Sequence, residues 1–569
     1  MDSLKSDVGA AAIDAAKRSH ESELAAPSSI RWHWLPLVLI VLAALSIRLY
    51  RFVPTAIGLQ YAQDADEGVY ATTAQLALQG YLPYRDFFTP MPPVAIYLSM
   101  VILRLVYHPW GQPAGLMALR LVSVSCGVIT VILTYYAAKW IGGRPAGLLA
   151  AGLLAVDGIV VAQDRRAMLE APSNLFSILA ILCYQRVLRS SDATHHEASD
   201  DRSDGAVPVL ATGFFSALAL LTKGTALVVV IVVLLDLVVR RRWQLALRFG
   251  LALAVSYVLL ASPFLLACPV EYVKQNYLFH LLRPYGGTAH PVARLEEMWR
   301  YAWSWSTVRF ALASLVLMFL AGRKVRRRRQ WLVVLVWAGL VLVLLLGSRT
   351  YWATYFSQLA VPLSVMGGLL LCGQLDTAKP NVLGHLAPLE PVSWRLAQII
   401  AFAGLLLLGY PNLRRQYAAT RAALEQTKPT YVEMAGHIND HLPPDVPVVV
   451  FETNYTFLSS HPPAGVDASG FFVDSYGEML YRNLGIPDAP VGDLVATWLE
   501  QERAGSRTVF HRAPAQIAVQ QMFDRSEYVV LDGRAMNQLT AETSAYILDH
   551  SDLLGSTCAA ELRVRSPEH

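Results

Sequence analysis

Apolar stretches close to the roughly 20 residues that a helix needs to cross a bilayer recur from Trp34 to about residue 410, and that recurrence limits the fold before any motif is read. The stretches fall near 34–52, 116–138, 145–162, 172–188, 209–222, 225–239, 245–265, 307–322, 330–347, 355–372 and 395–410. A chain of 569 residues that is 54% hydrophobic and only 16% charged cannot be a set of soluble cores. The expectation is an all-α polytopic membrane protein with about eleven transmembrane helices, in contact with membrane lipids. The formal charge is only +4 and the Lys and Arg residues are clustered, so nucleic acid is not an expected partner. The five cysteines, Cys126, Cys183, Cys268, Cys372 and Cys558, lack metal-ligand spacing and read as packing residues.

Residues 1–33 are polar and Ala-rich, without the apolar stretch and cleavage site of a removable signal peptide. They read as a cytoplasmic tail whose following span stays as an anchor. Short basic loops remain inside, and the strongest are Arg240-Arg241-Arg242 and the run from Arg323 to Arg329. Counting outward from them puts 163–171, 266–306, 348–354 and everything after residue 410 outside the cell membrane. The count works only if 92–107, which is apolar but short and carries Arg104, lies in the interface or re-enters. Residues 53–115 then form one long outer loop within a 34–410 membrane domain. After residue 410 the composition turns polar, and Val446–Phe451, Arg507–His511 and Tyr528–Asp532 read as buried strands of a small α/β extracytoplasmic domain, 411–569.

At the start of the outer loop stands Gln63-Asp64-Ala65-Asp66-Glu67-Gly68-Val69-Tyr70. Carboxylates beside a bilayer usually serve chemistry. The plainer reading is a solvated helix N-terminus, where acidic side chains cap and complement the dipole of a helix near 67–79 closed by Gly80. A second acidic cluster, from Gln163 to Pro172, is brought by the topology to the same face. No nucleotide-binding glycine fingerprint or phosphate loop is present, which argues against sugar-nucleotide or ATP chemistry. Asn454-Tyr455-Thr456 has the form of a glycosylation sequon, and His280, Arg283, His290 and Arg294 read as loop surface or acceptor contacts.

Asp66-Glu67-Gly-Val-Tyr70, Gly80-Tyr-Leu-Pro-Tyr84-Arg85-Asp86, Pro92-Pro93 with Tyr97, and Leu119-Arg120-Leu121 together resemble the GT-C glycosyltransferases, among them the protein O-mannosyltransferases and the lipid A aminoarabinose transferases. The resemblance covers roughly 34–375. It implies an inverting transfer of a sugar from a polyprenyl-phosphate carrier to an envelope glycan, lipid or protein acceptor at the outer face of the plasma membrane. Asp66 would be the general base and Glu67 would orient the acceptor or the base. Tyr84, Arg85, Arg120, Arg165, Arg166, Lys223 and Arg349 would meet substrate or the carrier phosphate, with Arg48 and Arg51 as further candidates. Asp86, Asp164 and Glu170 would be the donors for a divalent cation, Mg or Mn. The aminoarabinose transferases carry Glu-Lys before the two prolines where this chain has Pro90-Met91, so that subfamily's metal ligand is missing. Loop ion pairs, a snorkelling Lys223 and an aromatic belt at Tyr351 and Tyr355 are the competing readings. From other classes, a transporter or lipid flippase and a non-catalytic subunit of an envelope complex would also have many spans.

Overall fold

A computed structural model describes residues 34–52, 59, 64–193, 206–284, 286–287, 290–304, 306–321, 328–371, 431–465, 470–494 and 509–566, with single positions 396, 399 and 403. The expected tail 1–33, most of the Arg323–Arg329 cluster and nearly all of the 395–410 span lie outside the described residues. The protein is an integral membrane protein built mainly of helices, and the helices come in the order that the apolar stretches foretold. Among the described residues, four are long and apolar enough to cross a bilayer: Pro109–Gly142, Trp243–Ala267, Arg329–Gly347 and Ala353–Leu371. Five shorter apolar helices accompany them.

One expected span, 145–162, is not straight. It breaks into Arg144–Ala155 and Gly158–Asp164, bent by 63°. At the break, the side chain of Asp157 accepts a hydrogen bond from the Val160 amide at 3.2 Å and one from the Thr307 hydroxyl at 2.7 Å. A new N-cap inside an apolar run starts a second helix on a new axis. The membrane helices approach closely where they carry small residues. A Cβ on Gly368 would lie 2.4 Å from the Ala146 carbonyl oxygen, which only a glycine permits.

The segment expected to lie in the interface forms the helix Pro93–Val106, about 21 Å long at 1.5 Å per residue, against a hydrocarbon core of about 30 Å. Gly111 breaks it from the following span with φ +81°, between Pro109 and Pro113. Arg294 is buried and donates to the carbonyls of Leu345, Leu346 and Arg349 at 3.1, 3.2 and 3.2 Å, and also to that of Ser348. These are the orphan acceptors at the end of helix Arg328–Gly347, so Arg294 caps a helix and is not the loop-surface residue expected.

From Tyr431 the chain builds an α/β unit on a four-stranded sheet, ordered Val448–Val449, Tyr528–Asp532, Ala560–Arg565, Ser551–Ser556. The first pair is parallel and the other two are antiparallel. The strand Tyr528–Asp532 is buried on both faces. Val529 and Leu531 pack with Val519, Phe523 and Ile547, while Tyr528 and Val530 pack with Met434, Ile438 and Leu562. Within the expected strand Val446–Phe451 only Val448–Val449 pairs, and Val509–Phe510 is helical. Four or five apolar residues do not distinguish a strand from a buried helical turn. The last two strands, Ser-Asp-Leu-Leu-Gly-Ser and Ala-Glu-Leu-Arg-Val-Arg, mix polar and apolar residues and had no apolar run to mark them. The unit is packed onto the motif segment and the helix Phe279–Leu282: Phe88, Phe279 and Leu282 join one face of its core, and Phe457 and Leu458 pack with Ala71 and Ala74.

Candidate active site

The acidic motif opens the helix Ala65–Leu78, and its geometry separates three carboxylates. Asp64 is the N-cap, accepting from the Asp66 amide at 3.2 Å, while its own amide donates to Glu67 Oε2 at 3.2 Å, so the two form a capping box. Glu67 is wholly buried. Arg120, also wholly buried, donates to both of its oxygens, Nε to Oε1 at 2.8 Å and Nη2 to Oε2 at 2.7 Å. The Ala167 amide adds a bond to Oε1 at 2.7 Å. This bidentate pair ties the motif helix to the next span and to the 163–169 turn. Glu67 and Arg120 thus satisfy one another, and the pair braces the motif helix.

Asp66 is different. It has no ion-pair partner among the described residues, and its one side-chain hydrogen bond is from the Tyr70 hydroxyl at 3.4 Å. Burial raises its carboxyl to about 7, with Asp64, Asp474 and Glu170 adding to the rise and Arg534 opposing it. A partly buried carboxylate with its proton equilibrium near neutrality can take a proton from a substrate.

Around it the elements converge. Lys223, just before the 3-10 turn Gly224–Ala226, donates to Glu170 Oε1 at 2.6 Å and sits 4.5 Å over the Tyr355 ring. Tyr355 is thus a partner of that lysine and more than a belt residue. Arg166 pairs with Asp64 Oδ2 at 2.9 Å. His280, exposed, lies 3.2 Å from the Pro90 carbonyl. Arg349 reaches the Leu282 carbonyl at 3.4 Å.

Other expected site residues stand elsewhere. Tyr84 is buried in an aromatic cluster with Phe264 and Tyr272, its hydroxyl donating to the Met91 carbonyl, and it packs the loop. Arg85 is exposed and pairs with its neighbour Asp86 at 2.7 Å. Asp164 is buried against Arg48 at 2.8 Å, and Arg165 donates to the carbonyls of Ile47 and Tyr50 at 3.4 and 2.5 Å. Arg48, Asp164 and Arg165 therefore staple the first span to the broken one.

The three donors expected for a divalent cation each pair with a cation of their own, Asp86 with Arg85, Asp164 with Arg48 and Glu170 with Lys223, although Glu170 Oε2 is buried without a hydrogen-bond partner, and no group of three His, Cys, Asp or Glu gathers for a metal among the described residues.

The C-terminal unit reaches the same place. Asn454 Nδ2 donates to the Asp64 carbonyl at 3.0 Å and to Glu452 Oε1 at 2.9 Å, and a Cβ on Gly68 would fall 2.4 Å from the Asn454 nitrogen. Asn454 is buried, so its sequon is a coincidence of spacing. Asp474 and Arg534 act on Asp66 from this unit. Nothing in the sequence marked Glu452, Asp474 or Arg534: they lie almost 400 residues or more from the motif, in unrelated local patterns.

Residues 110–279 match the family described as dolichyl-phosphate-mannose-protein mannosyltransferase. The fold is similar to that of ArnT from Cupriavidus metallidurans, with a TM-score of 0.60 at 14% identity over 94% of this chain and 98% of that one. The same protein bound to undecaprenyl phosphate gives 0.60 at 15% identity, over 93% and 98%. The oligosaccharyltransferase AglB from Archaeoglobus fulgidus, in complex with an inhibitory peptide and a dolichol-phosphate, gives 0.55 at 14% identity, over 89% of this chain and 70% of that one. None of the curated proteins matches the chain in sequence.

Proposed function

We propose that the chain is a glycosyltransferase of the GT-C superfamily and that it moves a sugar from a polyprenyl-phosphate carrier to an acceptor hydroxyl or amine at the outer face of the plasma membrane, with Asp66 as the general base. The observation that carries this reading is that Asp66 alone of the three motif acids is left without an ion-pair partner among the described residues, while Asp64 pairs with Arg166 and Glu67 with Arg120. Structural relatives bound to undecaprenyl phosphate or dolichol-phosphate support the class of donor. The orientation follows from the basic loops.

In the reaction the Asp66 carboxylate takes the proton of the acceptor O–H or N–H. The freed electron pair forms the new bond to the anomeric carbon from the face opposite the carrier. The bond from that carbon to the phosphate oxygen breaks, its electrons go to the oxygen, and polyprenyl phosphate departs with the anomeric configuration inverted. Lys223, fixed by Glu170 and the Tyr355 ring, supplies positive charge for the leaving phosphate, and Arg166 lies on the side of Asp64.

The test is transfer in liposomes by the purified protein, offered a panel of radiolabelled polyprenyl-phosphate sugars with envelope extract as acceptor. Label should appear in product with inverted anomeric configuration for one class of donor. Retention of configuration, or no transfer with any lipid-linked donor, would reject the proposal.

A further inference from the structure

The motif helix Ala65–Leu78 is used on two faces. Asp66 and Tyr70 lie four residues apart on one, whereas Thr72, Leu76 and the C-cap Gln79, spaced by four and three, line a cavity of about 230 Å³ on another. The C-terminal unit closes this cavity with Phe457 and Pro463, and these two are buried together with Thr72 and Leu76. Gln79, Tyr81 and Asp445 stand exposed at its rim. Local structure fixes that rim. Gly80, at φ +100°, ends the helix: its amide bonds to the Ala77 carbonyl at 3.2 Å and the Tyr81 amide to that of Leu76 at 3.1 Å, which sets the Tyr81 ring edge-on to Phe471 with centroids 4.6 Å apart. On the side of the C-terminal unit, Asp445 and Ser460 both hold φ +64°, a left-handed conformation that a residue with a side chain keeps only where its surroundings impose it. His461 ties their two segments together, its ring nitrogens 3.0 Å from the Pro443 and Ser459 carbonyls.

We infer that this cavity is a subsite for a neutral sugar unit of a glycan acceptor, held between the motif helix and the C-terminal unit and apart from the base. That the glycan is the acceptor rests on the proposed glycosyltransfer. The chemistry of the wall selects the class of ligand. The side chains of Gln79, Tyr81 and Asp445 have no hydrogen-bond or ion-pair partner among the described residues, and an amide, a hydroxyl and a carboxylate together supply the donors and acceptors that sugar hydroxyls need. Phe457, Phe471 and Tyr81 add aromatic surface for the apolar face of a sugar ring. No lysine or arginine lines the cavity, and the Asp445 carboxylate would repel a phosphate. The volume lies below the roughly 300 Å³ at which drug-sized sites begin, which suits a single ring. At 1.5 Å per residue, Thr72 to Gln79 stand about 9–20 Å beyond Asp66 along the helix axis. The site therefore grips the glycan away from its reacting end, and it contributes to acceptor affinity without entering the chemistry.

The experiment is saturation-transfer NMR on the full-length protein in lipid nanodiscs, titrated with a panel of neutral hexose, pentose and N-acetylhexosamine oligosaccharides, with the same sugars carrying a phosphate, and with short peptides containing Phe and Pro. At least one neutral sugar should bind wild type and Asp66→Asn alike. Tyr81→Ala and Asp445→Gly, both at exposed positions and the second with a residue that accepts the left-handed φ, should each weaken that binding by about tenfold. No binding of any neutral sugar, equal binding by wild type and both variants, or stronger binding of the phosphorylated sugars or the peptides would overturn the inference. Sugar transfer, assayed in parallel, separates the two claims. With transfer present, the two variants should raise KM for the acceptor and leave kcat unchanged. Binding that depends on Tyr81 and Asp445, with no transfer by wild type, would reject the glycosyltransfer reading and leave the sugar site standing.

Discussion

At Asp64, Asp66 and Glu67 one functional group meets three surroundings, and what each carboxylate can do follows from the cation it has or lacks. Glu67 accepts both forks of Arg120, Asp64 meets Arg166 while capping the helix, and Asp66 has a tyrosine hydroxyl and a ring of like charge. A base raised to about 7 must be ionised to work, so the transfer rate should fall with acidity. Below that pH the ionised fraction drops about tenfold per unit, and above it the rate should level off; a pH–rate profile flat from 5 to 8 would remove Asp66 as the titrating group. Asp66 was legible because its neighbours kept the order of a known motif. The division of labour among the three acids was not, since Arg120 and Arg166 approach only in the folded chain. Arg534 and Asp474 carried no signal at all, being ordinary cap-region residues of a soluble-looking segment.

Among the elements, the motif helix is the joint on which the site depends. It is fixed on one side by the Glu67–Arg120 pair and on the other by Asn454 against Gly68. Arg120→Met leaves a buried carboxylate unpaired and should lower stability by about 3–5 kcal/mol, read as a fall in melting temperature in detergent; adding Glu67→Gln should recover part of that loss. Gly68→Ala places a methyl against backbone that cannot swing aside, and an overpacking cost of about 1–3 kcal/mol should be accompanied by loss of transfer, because the C-terminal unit is displaced from Asp66. Helix order was plain from the apolar runs, and the motif helix was expected near 67–79 and lies at Ala65–Leu78. The bend at Asp157 was hidden because a single polar residue in an apolar run does not declare whether it caps a new helix. The hairpin Ser551–Ser556 with Ala560–Arg565 was hidden because edge strands need few apolar residues.

On the scale of the whole molecule, the membrane helices and the C-terminal α/β unit meet at one charged site, and the proposed orientation puts that site outside. Cys558, exposed in the last hairpin connection, is a built-in reporter. In a variant retaining it alone, a membrane-impermeant maleimide added to intact cells should label it, and labelling only after permeabilisation would invert the topology. The catalytic role of Asp66 is tested most directly by sugar transfer from a polyprenyl-phosphate donor in liposomes, comparing wild type with a folded Asp66→Asn protein. Asparagine keeps the size and the helix N-terminus but cannot accept the acceptor's proton, so the mechanism predicts transfer by wild type and its loss, by at least about 10²-fold, in the variant. Equal transfer by the two proteins would contradict it.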